Sequence, residues 1–324
     1  MPPTITTTVN TLQTPDGLTL YTKTWSPPTS SNSNSKIKAR LVFIHGFSDH
    51  CNFYDPLFPC LAREGIRVYS FDQRGWGRSV HSPAQKGLTG PTRQILEDIS
   101  FFIRNLPGGE EEGEEAPLFL MGHSMGGGQV LTYISLGPED VKRQIRGYLC
   151  EAPFVSLHER SRPWKGTVVL GRLVGRLLPH RQMVQQLDPK KLCRDPDVCK
   201  AFEEDALCHD TGTLEGLAGM LDRASDLQEG KVVVREGQGE GGKTRLWIGF
   251  GTGDEILSED ICRKWYEKCQ IEDKEYKRYE GWYHKLHAEP GDDKFQFARD
   301  VSKWILDRSG PLENNDSTAT KPKL

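Results

Sequence analysis

Residues 121–130, "MGHSMGGGQV", set a serine in the pattern Gly122-His123-Ser124-Met125-Gly126, directly after the apolar run "PLFL" and before the helix-compatible "GGQVLTYISL". A serine hydroxyl is a poor nucleophile near neutral pH and needs a base, which in turn needs a group to orient it. Gly122 and Gly126 suit a strained strand-to-helix turn, where larger side chains would collide with neighbouring strand and helix. Such a turn holds Ser124 ready for acyl transfer; the alternative is a glycine turn with no chemistry.

A base and an acid are expected later in the chain. "LWIGFGTGDEI" offers Asp254 just past an apolar run, although an aspartate in a glycine-rich turn can also be purely structural. "YEGWYHKLH" offers His284 and His287. His284 follows the expected strand directly, where a loop side chain can point back over the sheet edge, whereas His287 is expected to start or precede the last helix. The two could also form a His-x-x-His ligand pair, but only Glu280 and Glu289 lie close by, so no metal is expected. A developing oxyanion needs donors: "FIHGFSDH" puts His45-Gly46 at a strand end, and the backbone N–H of Phe47 could join that of Met125. His45-Gly46 also reads as a simple tight turn, and both readings can hold.

The elements that must position these residues follow from periodicity. "TTTVNTLQTPDGLTLYTKTW" alternates on both sides of Asp16-Gly17 and predicts a β-hairpin. "PPTSSNSNSK" is a polar loop, and "ARLVFIHGF" is a continuous apolar run suited to a strand buried on both faces. A helix is expected near 52–64, then the strand "IRVYSFD", then a helix near 91–105. "GGEEEGEEA" is expected to be a solvated acidic loop without function. The strands "PLFLMG" and "IRGYLCEAP" flank the serine turn; "TRLWIGFGTG", "KEYKRYEG" and a helix near 291–307 complete the pattern.

Alternating strands and helices imply an α/β fold with a mostly parallel, doubly wound central sheet and helices on both faces. The rhythm breaks between 153 and 240, a helical stretch rich in Leu, Val and Arg that ends in "EGQGEGGK" and predicts an inserted cap. The expected division is core at 1–152 and 241–308, a helical cap or lid at 153–240, and a disordered tail at 309–324.

At 324 residues with a formal net charge of -3 and dispersed basic residues, the chain can bury a large core and is not expected to bind nucleic acid. No run is long enough to span a membrane, and "MPPTITTTVN" lacks the basic and apolar regions of a secretory signal, so a cytoplasmic protein is expected, with at most peripheral membrane contact. The 8 cysteines include no C-x-x-C pair and are expected to be reduced thiols.

In order and spacing, "FIHGFSDH", "GHSMGG", "GTGDEI" and "YEGWYHKLH" resemble the monoacylglycerol lipases of the α/β-hydrolase superfamily, in its serine-aminopeptidase and lysophospholipase-like branch. The resemblance covers roughly residues 10–308, and the "YEG-x-YH" ending with the early "HG-x-x-(D/E)H" is its most specific part. It implies an α/β-hydrolase fold with Ser124 as nucleophile, Asp254 as acid, His284 as base and the Phe47 and Met125 amides as oxyanion hole. It also implies a monoacylglycerol or related acyl ester as substrate and no cofactor. Where relatives usually carry a small residue this chain has Phe47, and Ser48-Asp49 replaces Gly-Glu, so the acyl side of the pocket is expected to be narrower or differently shaped.

The resemblance also implies a cap that acts as an interfacial lid. "WKGTVVLGRLVGRLLPH" supports one: Val168, Leu170, Leu173, Val174, Leu177 and Leu178 lie mostly on one side, with Lys165, Arg172 and Arg176 elsewhere. Such a helix can lie in a membrane or lipid-droplet surface or simply pack on the core. Leu173 and Leu177 are the lid and substrate candidates. In "FDQRGWGRS", Asp72, Arg74 and Arg78 are expected to form a structural polar network. His50 and Asp55 fit a His-x-x-x-x-Asp pattern of glycerolipid acyltransferases, a pattern short enough to arise by chance. Three readings compete: a hydrolase acting on monoacylglycerols, lysophospholipids or other carboxylic esters; an acyltransferase using the same acyl-enzyme; and a non-catalytic binding protein, which would have no need of an intact Ser, Asp and His.

Overall fold

The computed structural model describes residues 4–28, 37–107, 116–162 and 164–312, without the side chains of 165 and 167–170. Parts of three expected segments lie outside the described residues: the polar loop at 29–36, the acidic loop at 108–115, and the tail from 313 onward.

The strands are β1 (Thr6–Gln13), β2 (Thr19–Ser26), β3 (Ala39–Ile44), β4 (Ile66–Phe71), β5 (Leu118–His123), β6 (Ile145–Glu151), β7 (Gln182–Val184), β8 (Thr211–Thr213), β9 (Arg245–Gly251) and β10 (Asp273–Tyr279). Eight of them form one sheet in the order β1-β2-β4-β3-β5-β6-β9-β10. The β1–β2 hairpin closes at Asp16-Gly17, where Gly17 adopts φ 87°, a left-handed conformation that glycine enters without a Cβ penalty. β2 runs antiparallel to β4, and every later pairing in this sheet is parallel. All residues of β5, β6 and β9 are buried, as suits mainly apolar strands covered on both faces. The edge strand β10, "DKEYKRY", is charged, which discourages pairing with another chain.

The helices are α1 (Phe58–Arg63), α2 (Thr92–Arg104), α3 (Met125–Leu136), α4 (Glu139–Lys142), α5 (Lys165–Leu177), α6 (Pro196–Glu204), α7 (Leu214–Gln228), α8 (Glu259–Lys268) and α9 (Asp293–Asp307). Alternate residues of each strand feed opposite faces. Leu41 and Phe43 pack with α1 and α9 on one face, and Val42 and Ile44 pack with α2 and α3 on the other.

Three details differ from the sequence reading. The helix expected near 52–64 divides into a 3-10 turn at Cys51–Tyr54 and α1, with Pro56, which has no N–H to donate, between them. α8 has no counterpart among the expected elements, because only Cys262 and Trp265 on it are buried and the rest is largely charged; Ser258 caps it by accepting from the Ile261 N–H. The 153–240 stretch holds α5, α6 and α7 but also the short antiparallel ribbon β7–β8.

Candidate active site

Ser124 stands between the last residue of β5 and the first of α3, at φ 54° and ψ -116°. A non-glycine residue pays strain to hold that conformation, and the surroundings fix it. The Ser124 N–H donates to the Glu151 carbonyl of β6 (2.9 Å), while its carbonyl accepts from Gly128 (3.0 Å) and Phe154 (2.8 Å). The turn closes only because Gly122 and Gly126 are bare. A Cβ on Gly122 would overlap the Gly126 carbonyl, and one on Gly126 would overlap the Ile44 carbonyl of β3.

The serine, the aspartate and one histidine meet past the C-terminal ends of β5, β9 and β10. His284 Nε2 lies 2.8 Å from Ser124 Oγ and its Nδ1 lies 2.7 Å from Asp254 Oδ2. A carboxylate only accepts, so Nδ1 carries the proton and the Nε2 lone pair faces the hydroxyl. Asp254 Oδ1 accepts from the N–H groups of Ile256 (2.7 Å) and Leu257 (2.9 Å), which locks the carboxylate in place. Met125 is the first residue of α3, where a helix leaves its N–H without an intrahelical partner. Phe47 and Met125 both line the cavity onto which Ser124 opens, and a Cβ added to Gly46 would come within 3.3 Å of the Ser124 Cβ.

That cavity measures about 430 Å³ and is walled largely by apolar side chains, among them Phe154, Leu187, Phe202, Leu217 and Ile256. The Phe47 ring on its wall meets Trp76 edge-on (4.8 Å), and Trp76 stacks flat on His209 (4.9 Å). From α5 the lining takes Gly171 and Arg172; Leu173 and Leu177 lie outside it, 58% and 81% exposed. Val168 and Leu170 belong to the side chains outside the description.

His284 and His287 do not form a ligand pair. The ring of His287 turns away to Glu151, whose Oε1 takes both its Nδ1 (2.7 Å) and its N–H (3.1 Å), with both side chains fully buried. Glu289 accepts from Tyr283 N–H and from Arg194. Nor do His50 and Asp55 pair: His50 Nε2 contacts Asp205 (2.9 Å), and Asp55 accepts from Trp25 Nε1 (3.1 Å). The Asp72, Arg74 and Arg78 network is split. Asp72 accepts from the N–H groups of Cys51 and Arg78, whereas Arg74 binds Asp98 and Asp16. Among the described residues His50, Asp205 and Cys208 bring ligand atoms within 4.8 Å of one another, but Arg78 Nη1 sits 3.5 Å from His50 Nδ1 and would repel a metal cation. All eight cysteines are free thiols.

The structure adds Tyr54 and a set of contacts that the motifs did not reveal. Tyr54 Oη accepts from Gly46 N–H (3.1 Å), donates to Asp49 (3.0 Å) and lies 2.8 Å from His123 Nδ1, tying the Phe47 loop to the serine turn. Asp49 and Lys285 form an ion pair of 2.6 Å with both side chains 1% exposed, and both line the cavity. Burial works against the Asp49 carboxylate, but Lys285, His50 and His45 outweigh it and hold its pKa below the ordinary range. Burial, reinforced by His284 and His287, pushes His123 well below the usual histidine value and keeps it neutral. A charge inside an apolar run, such as Glu151 in "YLCEAP" or Lys285 in "YHKLH", was the one available signal, since such a group must find a partner.

The family described as serine aminopeptidase, S33 matches residues 35–291. A Schizosaccharomyces pombe protein provisionally named a monoglyceride lipase is 32% identical over 91% of this chain and 73% of its own length. The Saccharomyces cerevisiae monoglyceride lipase is 28% identical over 90% of each. The solved structure of a soluble variant of that yeast lipase in complex with a substrate analog superimposes with a TM-score of 0.83 at 23% identity, covering 96% of this chain and 98% of that one, a likeness of fold. An apolar cavity over a serine turn on a mostly parallel sheet, matched over most of its length by these sequences, places the chain in the serine aminopeptidase S33 family of the α/β-hydrolase superfamily, among the monoglyceride lipases.

Proposed function

We propose that the chain hydrolyses monoacylglycerols to fatty acid and glycerol through an acyl-enzyme on Ser124. The observation that carries this is the Ser124, His284 and Asp254 array opening onto an apolar cavity of about 430 Å³, in a chain whose relatives bear the monoglyceride lipase name. His284 takes the Ser124 proton as Oγ attacks the ester carbonyl, and Asp254 stabilises the resulting imidazolium. The amides of Phe47 and Met125 receive the oxyanion. His284 then protonates the departing glycerol, and water attacks the acyl-enzyme with the same histidine as base. The apolar walls suit an acyl chain, and Asp49 and Lys285 suit the hydroxyls of glycerol.

Residues 153–240 serve as the cap in this reading, and α5 with the chain after it as a lipid-facing lid. Among the described residues no helix is long and apolar enough to cross a membrane, yet Trp164, Leu173, Leu177, Leu178, Met183 and Val184 are all exposed in one short stretch. Exposed Arg172, Arg176 and Arg181 stand beside them. Apolar groups rimmed by cations favour peripheral binding to a membrane or lipid droplet. The eight free thiols fit the reducing cytoplasm.

A panel of 1- and 2-monoacylglycerols, di- and triacylglycerols, lysophospholipids and short nitrophenyl esters tests the assignment. The highest kcat/KM is expected on a monoacylglycerol, with free glycerol and fatty acid as products. A higher value on a lysophospholipid would replace the substrate, and acyl transfer to an added lipid alcohol in preference to water would replace the reaction.

A further inference from the structure

His284 is held by its neighbours as well as by Asp254. The Tyr283 N–H donates to Glu289 Oε1 (2.6 Å) and the Lys285 N–H donates to the Leu192 carbonyl (2.7 Å), so the backbone N–H groups of the residues before and after the histidine are both engaged. Leu192 lies in the 153–240 stretch, and so does Arg194, whose Nε donates to Glu289 Oε2 (2.5 Å) and whose Nη2 reaches Asp293 of α9 (2.5 Å). Between them the Cys193 thiol donates to the Ala288 carbonyl (3.0 Å). Glu289 is fully buried, whereas Arg194 is about a third exposed.

The two oxygens of Glu289 thus serve two different parts of the chain, one the backbone beside His284 and the other a cation of the inserted stretch. A buried carboxylate cannot shed its cation cheaply, so a displacement of Arg194 pulls on Glu289 and through it on Tyr283 and His284. Neither Arg194 nor Glu289 lines the cavity. We propose that Glu289 and Arg194 are positioning residues that set the placement of His284 and couple it to the 192–194 segment of the inserted stretch. The inference rests on His284 being the general base. A misplacement of even 1 Å at a reacting group can cost about a hundredfold in rate.

Arg194→Met and Glu289→Gln test it on a soluble nitrophenyl ester, beside His284→Ala. The amide introduced by Glu289→Gln keeps an acceptor for the Tyr283 N–H but presents no carboxylate to Arg194, so both variants break the same contact. Each is expected to lower kcat by about tenfold with KM nearly unchanged, and the double variant is expected to be no worse than either single one. Should Glu289→Gln fail to fold, Arg194→Met carries the test. Unchanged kcat in Arg194→Met, measured below its melting temperature while His284→Ala is inactive, would overturn the proposal, as would a change confined to KM. Full activity in His284→Ala would instead overturn the general-base assignment, and this inference with it.

Discussion

Replacing Leu173 and Leu177 together by serine separates a lipid-facing α5 from one that merely packs on the core. The two side chains are 58% and 81% exposed, together equivalent to about 1.4 fully accessible leucines. Taking a leucine from water into an apolar phase is worth about 1.5–3 kcal/mol, so the pair can contribute about 2–4 kcal/mol to binding a lipid surface. Each 1.4 kcal/mol is about tenfold in an equilibrium constant, which makes the expected loss of vesicle affinity at least about thirtyfold. Little of that area is buried in the fold, so the change in stability is expected to stay near the few tenths of a kcal/mol that a leucine-to-serine exchange costs in a helix. Flotation with vesicles of mixed zwitterionic and anionic lipid measures the first quantity and thermal unfolding the second. Hydrolysis of long-chain monoacylglycerol in vesicles is expected to fall while that of a soluble short ester holds. Undiminished vesicle binding, or an equal loss on both substrates, refutes the lipid-facing reading.

Ser124→Ala is expected to reduce ester hydrolysis by several orders of magnitude, about 10⁴-fold or more, with an unchanged melting temperature; retention of more than about a tenth of the activity removes Ser124 from the chemistry. His284→Ala is expected to match it, whereas His287→Ala keeps substantial turnover per folded molecule but melts earlier, because Glu151 is left buried without its partner; an inactive His287→Ala beside an active His284→Ala reverses the assignment. Lys285→Met strands the Asp49 carboxylate and is expected to cost about 3–5 kcal/mol in urea unfolding, so an unchanged midpoint contradicts the buried pair. His209 is pushed down to about 4 by burial and nearby Lys86. Its neutral form is favoured in the fold, so the unfolded chain takes up the proton first, and stability is expected to fall as pH drops from about 6.5 towards 4. His209→Phe should flatten that slope in melting temperature against pH, and an unaltered slope assigns it to other groups.

The serine turn was legible because its determinants are local: a buried strand declares itself by an apolar run, and a tight strand-to-helix turn by glycine at both flanks, so the strand, turn and helix of "PLFLMGHSMGG" can be read without knowing what packs against them. The parallel sheet followed from the alternation of such runs with helical stretches, whereas the order of serine, aspartate and histidine was what the resemblance implied. Which histidine joins Ser124 was open to reason but not to proof. His284 and His287 both follow β10, and what separates them is the Glu151 side chain, 136 residues from His287, which captures that ring. Lys285 finds Asp49 across 236 positions and His50 finds Asp205 across 155, in preference to the Asp55 that lies near it in sequence. A charged residue in an apolar run announces that it needs a partner, because burying it alone is too costly, but nothing local says which partner. That choice belongs to the packing of distant strands and of the stretch inserted between β6 and β9, which decides what stands beside each buried charge and what holds the loop that carries His284.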